Sequence, residues 1–465
     1  MDAEQIRRLR PELRRYLREF DDCFGNSATR AHLPVYVRGQ LSDLPRKSVE
    51  PIALAEGVAP RTLQEFLALL DWDEPLMVDR TQELVARDHA SARAVGVIDE
   101  TGCPKKGDKT PGVQRQYCGA SGKIENCVVT VHLSYAVDDF HCLLGSDLFL
   151  PQAWSDDRER CRQAGIPDEV VYRPKWRIAL ELLDRARGNG VALAWLTFDE
   201  YYGSKPEFLH ELNRRHQQYV AEVPVSFRGW LKVPRLRVRG RSMRVQRQSS
   251  AVADLLRYSP ALRDQPWRPF RVKDGEKGPM VWEVKQVTFY PQLEDGDPGR
   301  AGHLLVARNV LQPKEVKYFV SNAPAETRVQ TLLLVAFSRW HVERCFEDEK
   351  TELGFDHYEG RKYQGLIRHQ ALTAVTHLFL ERMRQKWGEK PGVDGMPGPD
   401  GSSGVGAILV VGQECEQGSI GAHCREDQVP TTEECHGSEE PYQTHATTTS
   451  QARHSTYHLE PLLME

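Results

Sequence analysis

Three acidic residues stand where carboxylates could share a metal ion. Asp99 closes a short apolar run at 94–99, and Asp199 closes a second run of the same kind. Glu343 lies in a later segment, 326–353, whose apolar residues recur at helical spacing. Carboxylate oxygens on rigid elements are the ligands that Mg²⁺ requires, and two such ions can assist phosphoryl transfer. Taken singly, each aspartate is better explained as the polar end of a strand.

The predicted helix that carries Glu343 also carries cations on the same face. At about 100° per residue, Arg339, Glu343, Glu347 and Lys350 fall close together. The acid could hold a metal ion while the cations hold DNA phosphates. A solvated face with ion pairs one turn apart explains the spacing equally well. A different register would place Glu347 on the metal instead.

A dense basic stretch at 228–247 contains eight bases and no acid. Arg235, Arg237 and Arg239 alternate with other residues, so that a β-strand would place them on one face, and Arg241 follows them. Such a row neutralises backbone phosphates without reading the base sequence. Solvated arginines are the alternative, but the density of bases favours contact with DNA.

The elements that must position these residues alternate between strand and helix over residues 91–224. Two or three strands are followed by a helix, a strand, a helix and a strand, which is typical of a ribonuclease-H-like α/β core. In such a sheet the strands that end at Asp99 and Asp199 are neighbours. Residues 225–322 are strand-like and rich in turns, so they form a β-rich insertion in the core, and helix returns over 323–388.

The two ends of the chain differ from this core. Residues 1–90 are predicted to be a helical domain, in which 47–73 resembles a helix-turn-helix. DNA binding by this helix pair and plain helical packing are equally good explanations. Residues 389–465 are acidic and of low complexity, with a Gly/Pro/Ser-rich start, and we expect this tail to be disordered.

The charge of the chain is uneven, and this bears on its partners. The net charge is −4, but 13 acids and only three bases lie in 389–465. The other 388 residues therefore carry 59 bases against 53 acids, which is compatible with a DNA partner. No apolar run approaches the ~20 residues of a membrane helix, so we expect a cytoplasmic protein that works at the nucleoid.

Several other kinds of site are not indicated. The ten cysteines form no Cys-x2-Cys pair, which argues against a zinc ribbon or a disulfide framework, and isolated buried thiols are expected. The phosphate-binding motif Gly-x4-Gly-Lys-Ser/Thr is also missing from the sequence, so ATP hydrolysis is not expected.

Three blocks of the sequence resemble the catalytic blocks of DDE transposases from bacterial insertion sequences. The blocks are VIDETG, TFDEYYG and RWHVERCFEDEKTELGFDHYEGR. The third is similar to a Tyr-x2-Arg-x3-Glu-x6-Lys signature, which Arg339, Glu343 and Lys350 match, whereas Ala336 stands at the tyrosine position. The resemblance covers roughly residues 30–388.

This resemblance implies a site and a reaction. Asp99, Asp199 and Glu343 would be catalytic and would bind two Mg²⁺ ions, for which Mn²⁺ can substitute, while Arg339 and Lys350 would contact the DNA ends. The implied reaction is cleavage of transposon ends followed by attack of the freed 3′-hydroxyl on target DNA, by a homodimer assembled on double-stranded DNA. Two alternatives stay open: a ribonuclease-H-like nuclease without strand transfer, and a decayed DNA-binding remnant.

Overall fold

The computed structural model describes residues 3–239, 242–245, 248–275 and 278–387, with side chains for 8–235, 248–272 and 280–387. Within these ranges the helices are α1 (Ala3–Leu17), α2 (Ser27–Arg30), α3 (His32–Leu41), α4 (Val49–Ala55), α5 (Pro60–Ala68), α6 (Glu74–Asp88), α7 (Gln152–Asp156), α8 (Arg158–Ala164), α9 (Lys175–Gly188), α10 (Glu200–Gly203), α11 (Pro206–Arg214), α12 (Val252–Tyr258), α13 (Pro260–Arg263), α14 (Val329–Phe337), α15 (Trp340–Thr351) and α16 (Tyr363–Trp387). The strands are β1 (Val95–Pro104), β2 (Gln114–Cys118), β3 (Lys123–Val137), β4 (Phe140–Leu148), β5 (Trp195–Phe198), β6 (Tyr219–Val223), β7 (Arg228–Trp230), β8 (Leu236–Arg239), β9 (Ser242–Val245), β10 (Ser250–Ala251), β11 (Arg268–Gly275), β12 (Gly278–Pro291), β13 (Gly302–Asn309) and β14 (Val316–Ser321). The predicted tail at 389–465 lies outside the described residues.

The core sheet has the strand order β4-β3-β1-β5-β6. Strand β3 is antiparallel to both β1 and β4, whereas β5 is parallel to both β1 and β6. Consecutive residues of β1, such as Val97 and Ile98, are both fully buried, because the sheet is covered on both faces. The fold is therefore α/β with a ribonuclease-H-like core, as the order of elements in the sequence predicts.

The β-rich insertion continues this same sheet. The chain leaves β6 and returns on β14, which is antiparallel to β6, and the sheet then extends through β13, β12 and β7. Strands β8 and β9 form a separate two-stranded ribbon. Helices α12 and α13 interrupt the strands of the insertion, which the sequence pattern did not indicate.

The N-terminal helices are built onto the helix α16. The hydroxyl of Tyr16 donates to the carbonyl of Val375 at 2.8 Å, and Gln40 Nε2 donates to Thr373 Oγ1 at the same distance. The predicted helix-turn-helix consists of α4 and α5, and its buried residues, including Phe66, belong to the main core. DNA binding by this pair stays a prediction.

The segment 326–353 is two helices and not the single helix that its periodicity predicts. The helix is interrupted between α14 and α15. There the backbone N–H of Ser338 donates to the carbonyl of Val335, and the N–H of His341 donates to the carbonyl of Ser338. These are bonds to the third residue back, which tighten the turn. The Ser338 hydroxyl also donates to the Val335 carbonyl at 2.7 Å, so the tight turn competes with continued helix.

No helix in the described ranges combines the length and the apolar character needed to cross a membrane.

Candidate active site

Three acidic residues lie side by side on three neighbouring strands. Ile98 of β1 pairs with Phe198 of β5, and Phe198 pairs with Ala221 of β6. The residue that follows each of these three is acidic, and these residues are Asp99, Asp199 and Glu222. Because equivalent positions of adjacent strands share a face, the backbone alone brings the three carboxylates together.

Asp99 does not end its strand, contrary to the sequence-based expectation. Strand β1 continues to Pro104, because its other edge stays paired with β3 over the whole length from Val95. Strand β5 does end at Phe198, and Asp199 begins the short helix α10 as its N-cap. Asp99 therefore lies beside the carboxyl end of its parallel neighbour β5. The pairing between β1 and β5 stops at this position.

Asp199 is held by backbone donors. Its Oδ1 accepts from the N–H groups of Tyr201 and Tyr202 at 3.1 and 3.3 Å. Burial nevertheless raises the pKa of Asp199, although Arg339 and these backbone bonds oppose the increase. The N-cap fixes the direction of the carboxylate without neutralising its charge.

One guanidinium is shared by the acids. Arg339 lies in the break before α15, where its Nη1 donates to Glu222 Oε2 at 2.8 Å and its Nη2 lies 3.6 Å from Asp99 Oδ2. Burial opposes the charge of Arg339, but the surrounding carboxylates, including that of Glu343, outweigh this effect and raise its pKa. Glu222 is also paired with Lys317 at 2.9 Å.

The group carries more negative than positive charge. Four carboxylates surround Arg339, and they belong to Asp99, Asp199, Glu222 and Glu343. Among the described residues, the cations in ion pairs with these four are Arg339 and Lys317, so the carboxyl groups outnumber the cations by two. Burial raises the pKa of Asp99 to about 7, with Arg339 opposing and Asp199 adding to the increase. Hard oxygen donors with this excess charge fit a divalent cation such as Mg²⁺.

Glu343 approaches the two aspartates from the helix side. It lies in the first turn of α15 and is exposed, one turn after Arg339. Within the described ranges, Asp99, Asp199 and Glu343 are not among the sets of ligand atoms that all lie within 4.8 Å of one another. The charge of Glu343 acts on Arg339, as do those of the aspartates, but the three carboxylates are not gathered within this distance.

Lys350 lies against the strand that carries Asp99. Its Nζ donates to the hydroxyl of Thr101, which is two residues beyond Asp99 and so on the same face of β1. Glu347 is exposed instead and its carboxylate lies 3.3 Å from Arg344. The helix therefore turns Lys350 toward the strand of Asp99 and gives Glu347 a different partner.

The basic stretch is positioned only in part as predicted. Strand β8 begins at Leu236, so Arg235 precedes the strand and is exposed, whereas Arg237 and Arg239 occupy alternate positions within it. Arg241 lies outside the described residues. The expectation of one strand face with three arginines is therefore wrong for Arg235, and contact of these arginines with DNA stays a prediction.

Sequence reasoning missed Glu222 and also Glu100, which forms an ion pair with Lys175 beside the row of acids. A signal for Glu222 was available, since it is the one charged residue in the otherwise apolar and aromatic strand Tyr219–Val223. A charged residue in a buried strand requires a partner, and that requirement marks a candidate site.

Comparison with known proteins identifies the family. A family model described as DDE superfamily endonuclease matches residues 19–279, which are 261 of the 465 residues. The chain belongs to this family. The match of Arg339, Glu343 and Lys350 to the longer transposase signature stays a prediction.

This DDE superfamily member also has a curated relative. It is similar to a probable transposase for insertion sequence element IS701 of Microchaete diplosiphon, with 31% identity over 187 residues that cover 40% of this chain and 46% of the relative. The chain thus matches less than half the length of that relative. A cryo-EM structure of a piggyBac transposase synaptic complex with hairpin DNA aligns at 11% identity and a TM-score of 0.38, covering 84% of this chain and 72% of that one.

Proposed function

We propose that this protein is a DNA transposase that cleaves transposon ends and joins the freed 3′-hydroxyl to target DNA. The observation that carries the proposal is the row of carboxylates on adjacent strands with a single shared guanidinium, in a chain of the DDE superfamily. The name of its curated relative agrees with this reaction. Asp99, Asp199 and Glu343 are the proposed catalytic residues.

Asp99, Asp199 and Glu343 would hold two Mg²⁺ ions, or Mn²⁺ in their place. Such ions, when bound, activate an attacking oxygen and stabilise the leaving oxygen of a phosphodiester. The buried aspartates supply fixed anionic ligands, because β1 and the N-cap of α10 determine their directions. Glu343 is exposed on the facing helix and would supply the third carboxylate.

The cations around the acids would bind the DNA phosphates. Arg339 forms ion pairs with Asp99 and Glu222. A phosphate oxygen that enters the site would therefore compete with these carboxylates for the same guanidinium. Lys350 donates to Thr101, two residues beyond Asp99 on the same face of β1. Holding the scissile phosphate in line with the attacking oxygen is itself a large part of catalysis.

The remaining DNA contacts are proposed for the ribbon β8–β9 and the residue before it. Arg235, Arg237, Arg239 and Arg241 would contact phosphates of element ends or target DNA without reading sequence. Because two element ends have to be brought together in one complex, we propose a homodimer assembled on DNA.

The decisive experiment compares two glutamates one turn apart on α15. Glu343→Gln keeps the shape of the side chain but removes one anionic ligand, so cleavage and strand transfer in Mg²⁺ should fall by at least about 100-fold, beyond the loss typical of an outer-shell partner. Binding to the element ends without metal should be unchanged. Glu347→Gln is the matched control, and it should stay within a few-fold of the wild type.

Intact and pre-nicked DNA ends separate the possible outcomes. Normal cleavage by the Glu343→Gln variant refutes the proposed triad, and a strong defect of Glu347→Gln alone assigns the ligand to Glu347. Cleavage by the wild type without any strand-transfer product shows a nuclease of this fold and not a transposase.

A further inference from the structure

The face of α15 opposite to Glu343 is buried and rich in side chains that can bind metals. It contributes Cys345, Asp348 and Glu349, which meet His141 of β4 and residues of α16. None of the participating residues is more than 6% exposed, and they are His141, Cys345, Asp348, Glu349, His377 and Glu381. This set is separate from the row of acids formed by Asp99, Asp199 and Glu222.

The ligand atoms of this set converge from three elements. One atom each of His141, Cys345 and His377 lies within 4.8 Å of the others, and the same holds for His141, Asp348, His377 and Glu381. The two histidines are common to both groups. A strand and two helices supply these atoms, and Cys345 and the two carboxylates reach the same pair of histidines in two overlapping groups.

The hydrogen bonds leave one nitrogen of each imidazole without a partner. His377 Nδ1 lies 3.1 Å from Glu349 Oε1, and His141 Nε2 lies 3.4 Å from Asp348 Oδ2. The opposite nitrogens, His377 Nε2 and His141 Nδ1, are buried without a hydrogen-bond partner. A carboxylate on one ring nitrogen and a metal on the other is the usual arrangement of metal-binding histidines.

A buried polar atom without a partner loses its hydration and gains no bond in return, so two such nitrogens in one place require a reason. A metal ion removes this cost for both. Glu381 Oε1 lies 3.9 Å from His377 Nε2 and also forms an ion pair with Arg384 Nη1 at 2.8 Å. Asp348 and Glu349 are then the partners that orient the two rings.

We propose that His141, Cys345 and His377 bind a structural Zn²⁺ ion behind the catalytic helix, with Glu381 of the overlapping group as its fourth ligand. Nitrogen, sulfur and carboxylate ligands in a closed set of four are typical of zinc, whereas Mg²⁺ takes oxygen ligands only and retains water. The ion would tie α15 to β4 and α16, and so fix the helix from which Glu343 projects. It would take no part in the reaction, and the proposal does not depend on transposition.

Metal analysis of the full chain tests this site. Protein purified without a metal-binding tag, then dialysed against a weak chelator, should hold about one zinc per chain by mass spectrometry of the metals. Asp99→Asn should retain the zinc, because it changes the other site only. A folded wild-type chain that holds neither zinc nor added cobalt overturns the proposal and shows a buried network of ion pairs instead.

Cobalt substitution identifies the ligands without relying on variants that fail to fold. The Co²⁺ form of the wild type should show intense tetrahedral d–d bands and a sulfur-to-cobalt charge-transfer band. Cys345→Ser should abolish the charge-transfer band, whereas Cys161→Ser, at another buried free cysteine, should leave it unchanged. A charge-transfer band that persists in Cys345→Ser, or zinc that is lost in Asp99→Asn, contradicts the assignment.

Discussion

Replacing Asp99 by asparagine should make the metal-free protein more stable at alkaline pH while it abolishes the proposed reaction. The Asp99 side chain is only 15% exposed, and burial raises its pKa from 3.8 to about 7. Arg339 opposes the increase and Asp199 adds to it. A difference of about three pKa units corresponds to at most about 4 kcal/mol, at about 1.36 kcal/mol per unit.

The sign follows from which state binds the proton more tightly. The folded protein holds the proton of Asp99 up to about pH 7, whereas the unfolded chain releases it near pH 4. The free energy of unfolding of the wild type should therefore fall, relative to Asp99→Asn, between about pH 4 and pH 7. Below this window the neutral carboxyl and the amide are nearly equivalent, so the two proteins should be equally stable at its lower end.

Urea denaturation in EDTA, followed by tryptophan fluorescence from pH 5 to pH 8.5, measures this difference. We expect Asp99→Asn to be more stable by about 2–4 kcal/mol at pH 8, within the ceiling set by the pKa difference. Mg²⁺ should then stabilise the wild type more than the variant, because only the wild type retains the full set of carboxylates.

Glu347→Gln serves as the control for this experiment. Its carboxylate is 64% exposed and its ion pair with Arg344 is at the surface, so the change in the free energy of unfolding should be below about 1 kcal/mol. If Asp99→Asn is less stable than the wild type at pH 8, Arg339 compensates the charge of Asp99 fully and the reasoning is wrong. The reasoning is also refuted if the wild type and Asp99→Asn differ in free energy of unfolding by the same amount at pH 5 and pH 8.

Two further predictions concern DNA binding and the support of the site. Replacing the three arginines at and before β8 by alanine should weaken binding to all DNA sequences alike and lower the slope of log affinity against log salt by up to about 0.9 per lost contact; a loss for one sequence only would show base reading. These arginines are Arg235, Arg237 and Arg239. Gly203→Ala would place a Cβ 1.9 Å from a backbone oxygen of β6 and should lower the melting temperature clearly, whereas Gly188→Ala, with no atom within 4 Å, should not.

The core of the fold could be predicted from the sequence because each of its strands is a run of apolar residues between turns. The alternation of these runs with amphipathic helices predicts the strand order. That order makes the strand of Asp99 a neighbour of the strand that precedes Asp199. The full length of β1 could not be predicted. Its second half, from Glu100 to Pro104, is polar and small, and it is a strand only because β3 pairs with it along its whole length.

The candidate site was predictable to the same extent. The acids at strand ends were visible, but the row also includes Glu222, whose place depends on the register of β6 against β5. The break before α15 was not visible, because Ser338 and Arg339 are both compatible with a continuous helix. At that break the local turn of Ser338 coincides with the ion pairs of Arg339 with Glu222 and Asp99, which depend on the tertiary fold.

The packing of the first helices on α16 sets a time for the completion of the fold. The side chain of Tyr36 forms a hydrogen bond with His369, and that of Gln40 forms one with Thr373. In each pair the two residues are 333 positions apart in the chain. At about 5–20 residues per second, a ribosome needs roughly 15–70 s to deliver the second partner after the first. Throughout that interval the apolar face of α3 has no α16 to cover it, and the nascent chain is a substrate for chaperones. Only the arrival of the last described helix closes the N-terminal part of the protein.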